Sequence, residues 1–248
     1  MSLSPSELER YDRQIRIPGF GLDGQVKLKS SKVAVIGVGG LGCAASIYLV
    51  AAGVGRVVLI DREKFELSNL NRQVLGFQSD LGKLKVEAAK AKLRELNPEV
   101  EVEAFPVELS KQNINEIVGD VDIVLDCLDN WETRFIVNDY CVVKNIPLIH
   151  AAVSEFYGQI TTIIPRKGPC LKCIFHKIPA VQTEAIPVIG AVPATLASLE
   201  VVEAIKLLTG IGEPLLGRML FLDFRRMSFE TIQLSKRRDC PTCGEATA

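Results

Sequence analysis

Hydrophobic positions in the first 150 residues come as short unbroken runs separated by longer stretches of helical periodicity. Val33–Ile36, Arg56–Ile60, Val100–Phe105, Val121–Asp126 and Pro147–Ala152 are short runs rich in β-branched residues, as expected of strands buried on both faces. Between them, Leu41–Ala52, Lys83–Leu96 and Trp131–Lys144 repeat apolar residues at helical spacing. Strands alternating with helices of this length predict a Rossmann-like, doubly wound α/β fold with a mainly parallel sheet. After Ala152 the rhythm changes. "YGQITTIIP" reads as a strand that need not be parallel, and many prolines follow from Pro165 to Pro193. A helix is expected at Ala194–Leu208, and "RMLFLDFRRMSFETIQLSK" alternates like a hairpin of antiparallel strands.

Composition narrows the picture. The chain has 248 residues, 48% of them hydrophobic, so it has the material for one large core. Its 29 basic and 30 acidic side chains leave a net charge of -1, which argues against nucleic acid or an anionic membrane as main partner. No apolar run reaches the ~18 residues that cross a bilayer, and the start has no signal-peptide core. The expectation is a cytoplasmic protein. Four of the seven cysteines form two CxxC pairs, Cys170/Cys173 and Cys240/Cys243. That suits a metal site in a reducing compartment better than a disulfide framework.

Gly37-Val38-Gly39-Gly40-Leu41-Gly42 follows the first strand and fits GxGxxG at Gly37, Gly39 and Gly42. Glycines there let the backbone turn tightly and approach phosphate, while the N–H groups of the following helix favour an anion. Asp61 ends the next strand, where an acid can accept hydrogen bonds from ribose. Nicotinamide and ATP enzymes both open this way.

The charges further on separate the two. Asn69, Arg72, Lys85 and Asp129 stand in "SNLNRQVL", "GKLKVEAA" and "LDCLDNWETR". A hydride-transfer site has no use for several cations beside a carboxylate at the phosphate end. Attack of a carboxylate on the α-phosphate of ATP needs them, because two anions must meet and pyrophosphate must leave; an Asp can then hold Mg²⁺. An NAD-dependent oxidoreductase and a non-catalytic nucleotide-binding scaffold stand as the alternatives.

The series "RYDRQI", "GVGGLGCAAS", "AGVGRVVLID", "SNLNRQ", "GKLKVEAA", "LDCLDNWETR", "GQITTI" and the paired CxxC resembles the MoeB/ThiF/HesA family, relatives of the ubiquitin-activating enzymes, and most of all its MoeB-type members. The resemblance implies a single adenylating domain over 1–248. Residues 30–152 would form the nucleotide-binding half, and 153–248 the half carrying the carrier surface, a crossover loop and zinc. It implies an adenylyltransferase acting on the C-terminal glycine of a small ubiquitin-fold sulfur carrier ending in Gly-Gly, with ATP and Mg²⁺. Gly40 would lie against the nucleotide and Asp61 would hold the ribose. Ser68, Asn69, Leu70, Asn71 and Arg72 would line the phosphates with Lys85, and Asp129 with Asn130 would organise Mg²⁺. Arg13 would be delivered by the other subunit of a homodimer. Asp126 and Arg134 read as structural.

Four thiolates at such spacing close a tetrahedral Zn²⁺ site with no open position, so structural zinc is expected on Cys170, Cys173, Cys240 and Cys243. His176 reads as a surface residue, His150 as a packed core histidine, and Cys43, Cys127 and Cys141 as small buried hydrophobes. Some relatives capture the activated carrier on a cysteine in the loop after the first CxxC. The nearest match here is around Thr183, and no cysteine lies between Cys173 and Cys240, so a covalent intermediate on this chain is not expected. The proline-bearing loop 174–194 is expected to cross over the substrate tail and to move when empty.

Overall fold

The structure, a computed structural model, describes residues 2–176 and 186–244. Eight strands form one mixed sheet in the order β3-β2-β1-β4-β5-β6-β7-β8. They are β1 (Lys32–Ile36), β2 (Arg56–Ile60), β3 (Glu101–Phe105), β4 (Ile123–Asp126), β5 (Leu148–Ser154), β6 (Tyr157–Ile163), β7 (Arg218–Asp223) and β8 (Ser228–Gln233). The first five pair in parallel, and β6, β7 and β8 continue the sheet antiparallel.

The helices, in chain order, are α1 (Pro5–Arg10), α2 (Asp12–Ile15), α3 (Gly21–Ser30), α4 (Gly40–Ala52), α5 (Lys85–Leu96), α6 (Ile114–Ile117), α7 (Trp131–Lys144), α8 (Leu171–Ile174) and α9 (Ala191–Thr209). Side chains alternate across a strand, and here both faces are covered. Val33 and Val35 of β1 join one core with α4, α5 and α9, while Ala34 and Ile36 join the second with α7 and α8. Two buried faces explain why the central strands read as unbroken apolar runs. Among the described residues, no helix is long and apolar enough to cross a membrane.

The sequence expectation holds for the alternation, the hairpin and the change of pairing after β5. Its boundaries move in places. The last long helix starts at Ala191 rather than Ala194, with Pro193 inside its first turn, where the missing N–H breaks no intrahelical bond. This shortens the loop placed at 174–194. The expected motion of that loop, and Thr183 with it, fall on residues 177–185, outside the described part of the chain.

α9 packs along α4 and over β5 and β6, and it carries two acids into the interior. Glu203 accepts from the Leu215 backbone N–H at 2.7 Å and from the Thr162 hydroxyl. Glu200 is fully buried, with only the Cys127 thiol donating to it at 3.6 Å, and its Oε1 has no partner among the described residues. Burial, reinforced by the Asp126 charge, pushes the Glu200 pKa well above 4.5. Below 4.5 the carboxyl is neutral in both states. Above it the unfolded chain ionises first, so folding stability falls with rising pH by up to about 1.4 kcal/mol per unit. Glu200→Gln removes that slope, so its melting temperature should gain on the parent between about pH 5 and pH 8, by several degrees. Parallel curves across that range would refute the assignment.

Candidate functional site

The carboxyl ends of β2, β1 and β4 lie level, with Ile36 in register with both Ile60 and Asp126. The chain turns back between β1 and β4, the switch point where open α/β sheets bind ligands. Gly37 sits at φ +91°, and a Cβ there would lie 2.7 Å from the Cys127 carbonyl oxygen. A Cβ on Gly42 would lie 1.8 Å from the Gly37 carbonyl oxygen, so α4 starts hard against the turn. Gly39 is different. Its nearest neighbour would be Gln73 Nε2 at 4.0 Å, which leaves that face of the turn open. No side chain caps α4, so its first N–H groups are available to an anion.

Asp61 follows β2 and is tied to the same turn. Its Oδ2 accepts from the Val38 N–H at 2.7 Å, and its Oδ1 from the Glu63 N–H at 2.8 Å. Glu63 in turn accepts from Lys85 Nζ at 2.6 Å. Lys85 opens α5 and is buried. Arg72 follows a short 3₁₀ turn at Leu67–Asn69. It donates to the Ser68 carbonyl at 2.8 Å and to Asn71 Oδ1 at 3.0 Å. A Cβ on Gly40 would lie 3.5 Å from Arg72 Cγ, so Arg72 crosses the start of α4. Asn69 is buried and accepts from the Glu66 N–H at 3.1 Å, and Leu70 closes the same 3₁₀ turn with its N–H on the Leu67 carbonyl.

Asp129 is exposed, three residues beyond β4. Asn130 caps α7, accepting from the Thr133 N–H at 2.9 Å. Beneath this loop lies a buried ion cluster. Asp126 Oδ2 is 3.0 Å from Arg134 Nη1 and 2.7 Å from His150 Nδ1. Arg134 also donates to the Ala151 carbonyl at 2.9 Å and to the Leu128 carbonyl. Burial alone lifts the Asp126 pKa, but the Arg134 guanidinium and His150 outweigh it and hold the carboxyl below its usual value. Burial and Arg134 push the His150 imidazole down, so it stays neutral in the interior.

Arg13 stands apart. In "RYDRQI" the neighbours of Arg13 are anchors: Tyr11 OH accepts from Asn97 Nδ2 at 2.8 Å, and Gln14 donates to the Ala52 carbonyl at 3.1 Å. Ala52 ends the 13-residue α4. At 1.5 Å per residue that end lies about 18 Å from the glycine turn. Arg13 itself is exposed, so one chain does not bring it to Arg72 and Lys85.

The four CxxC cysteines come together. Their sulfurs all lie within 4.8 Å of one another, with Cys170–Cys240 at 3.6 Å and Cys173–Cys243 at 3.4 Å. All are free thiols. Four sulfurs about 2.3 Å from a tetrahedral Zn²⁺ sit about 3.8 Å apart, so the donor set and spacing fit the ion. α7 orients both knuckles, since Asp139 accepts from Lys172 at 2.6 Å and from the Thr242 hydroxyl at 2.7 Å. His176 is exposed and outside the cluster, and Cys43, Cys127 and Cys141 are buried.

Residues 11–242 match the ThiF family. The chain belongs to the ThiF family. It is 43% identical to the SAMP-activating enzyme E1 of Haloferax volcanii, covering 99% of this chain and 92% of that protein. It is 42% identical to the sulfur carrier protein adenylyltransferase of Thermus thermophilus, covering 99% and 94%. Among solved structures, E. coli MccB with ATP matches at a TM-score of 0.85 and 29% identity, over 95% of this chain and 74% of that one.

Two residues of this ThiF-family site escape a reading of the sequence. Gln73 is buried beside the open face of Gly39, and its Oε1 has no partner among the described residues. A buried oxygen left unpartnered beside an open, uncapped helix start makes Gln73 a candidate ligand contact; its place directly after Arg72 was the available signal. Glu63 is the second, the counter-ion that keeps Lys85 tolerable in its buried position.

The cysteine geometry predicts about one zinc per chain by elemental analysis. Cys240→Ala should release it and lower the melting temperature by about 5–10 °C. Zinc retained in that variant would refute the four-cysteine site.

Proposed function

We propose that this protein is an ATP-dependent adenylyltransferase that activates the C-terminal glycine carboxylate of a small ubiquitin-fold sulfur carrier. The carrier carboxylate oxygen attacks the α-phosphorus, a new P–O bond forms, the bond to the bridging oxygen breaks, and pyrophosphate leaves with the electron pair. The observation that carries this reading is Arg72 lying over the uncapped start of α4, with Lys85 linked to the same turn through Glu63 and Asp61. Hydride transfer has no use for two cations there. Names of relatives that include adenylyltransferases support the same reading, as does a structural neighbour solved with ATP.

In this reading the N–H groups of α4 and the open face of Gly39 receive phosphate, and Asp61 accepts from ribose hydroxyls. Arg72 and Lys85 neutralise charge as pyrophosphate departs, with Lys85 exchanging Glu63 for a phosphate oxygen. Asp129 suits Mg²⁺, which takes one or two carboxylates together with substrate phosphates; the ion would screen charge between the reacting anions. Gly-Gly at the carrier's end permits an extended tail to pass close to the turn. Residues 30–152 would bind the nucleotide and 153–248 the carrier, within one domain. Free thiols and a zinc cluster fit the reducing cytoplasm.

ATP–pyrophosphate exchange tests the reading. Exchange should require a carrier ending in Gly-Gly and fall by about 10²–10³-fold in Asp129→Ala or Arg72→Ala. Exchange that proceeds without any carrier, or ATP that does not bind at all, would sink it.

The distance of Arg13 from its own site supports a homodimer in which each subunit completes the other. Mixing inactive Arg13→Ala with inactive Asp129→Ala should then restore about a quarter of the parental rate, since half of randomly exchanged dimers hold one intact site of two. A mixture as inactive as its components would place Arg13 outside the reaction.

A further inference from the structure

The first residues of α9 touch the phosphate-side turn directly. Gly190 caps α9 at φ -56° and ψ -27°, values open to any residue, so its backbone does not demand glycine. Its neighbours do. A Cβ on Gly190 would lie 2.4 Å from the Asn71 carbonyl oxygen, 3.2 Å from Arg72 Cα and 3.3 Å from Arg72 Cβ. Pro193 covers Gly40 in the same way, with 3.1 Å between its Cγ and a Cβ placed there.

The other end of this segment is fixed to the sheet. Val188 bridges Glu155 in parallel register. The Glu155 N–H donates to the Pro187 carbonyl at 2.5 Å, and the Ile189 N–H donates to the Glu155 carbonyl at 3.4 Å. Residues 187–193 therefore form a strap from the β5–β6 turn to the contact with Gly40 and Arg72.

We infer that Gly190 is a positioning residue for Arg72, setting how far the guanidinium stands from the start of α4. The inference rests on the reading of Arg72 as a phosphate partner. Arg72 lies outside regular structure, and its hydrogen bonds to Ser68 and Asn71 are internal to its own turn. Those bonds aim the side chain within the turn but do not locate the turn against α4. The strap does, by backbone-to-backbone contact that any larger residue would push apart. Non-bonded heavy atoms rest near ~3.5 Å, so a methyl at Gly190 pushes back by about 1 Å the Asn71 carbonyl oxygen, which belongs to the peptide that leads into Arg72. A triphosphate spanning the helix start and the guanidinium is sensitive to that displacement.

The test is the affinity of the full-length protein for Mg·ATP, measured by isothermal titration calorimetry in a double-mutant cycle. Gly190→Ala should weaken binding about tenfold, as expected when a charged hydrogen bond is misplaced. In the Arg72→Ala background the same substitution should add almost nothing, because the contact it disturbs acts through that side chain. A purely structural role would instead weaken both backgrounds alike. Multiplying losses would overturn the inference, as would parental affinity in Gly190→Ala, and either result leaves the phosphate role of Arg72 standing. Parental affinity in Arg72→Ala would remove both the phosphate reading and the inference. Should Gly190→Ala not fold, Pro193→Ala replaces it by withdrawing the ring from Gly40. A smaller loss that again vanishes without Arg72 supports the strap, and no loss overturns it.

Discussion

Arg134 reaches from the first turn of α7 into the carboxyl end of the sheet, where it meets Asp126 of β4 and the carbonyls of Leu128 and Ala151. One guanidinium thus ties together two neighbouring strands, the loop beyond β4 and the helix that follows. Removing one member of a buried ion pair typically costs 3–5 kcal/mol, roughly, because the other is left unpaired, although apolar replacement of both can be harmless. Stability alone does not account for such a pair. What it adds is geometry. Leu128 is held by its carbonyl, and Asp129 is the next residue, so the position of the exposed carboxylate is inherited from a buried network that never reaches solvent.

The same economy runs through the rest of the site. The glycine turn is located by contacts with Cys127 and by the Val38 N–H on Asp61. Lys85 is placed by Glu63, and Glu63 by Asp61. The reactive end of the sheet is therefore one connected set of backbone and charged contacts. The antiparallel strands lie outside it, joined through β5 and α9. The zinc-suited cluster fastens the last described residues to the middle of the chain through Asp139 of α7, the helix that also bears Arg134.

How far the sequence reveals this depends on whether the determining contact is local. Gly37 and Gly42 are legible because a turn from strand into helix has few solutions and both glycines meet atoms within a few residues or one strand away. The paired cysteines are legible because metal ligation restricts spacing. Glu63 is an exposed acid with no local signal, since its partnership with Lys85 spans 22 positions. Gln73 is a buried polar residue beside Gly39, a neighbour 34 positions away that no local pattern reveals. Pro193 argued for a helix start three residues too late, as a proline in the first turn resembles a boundary. α1 and α2 are too short to show a period; they form because Tyr11 and Gln14 dock on the far end of α4. Nothing in the sequence marks Glu200 as buried; it is so because α9 packs along α4 and over β5 and β6 at that point.

The seven cysteine sulfurs divide into two groups. Four face one another in the cluster. Cys43, Cys127 and Cys141 lie in the interior, and burial pushes Cys43 up to about 12 and the other two well above 9. Thiols in that state hold almost no thiolate at neutral pH. Under the proposed reaction, a mixed anhydride formed beside Asp129 would find no nucleophile in these three thiols. Burial of three ordinary core cysteines thus becomes a form of chemical reticence toward an activated acyl group.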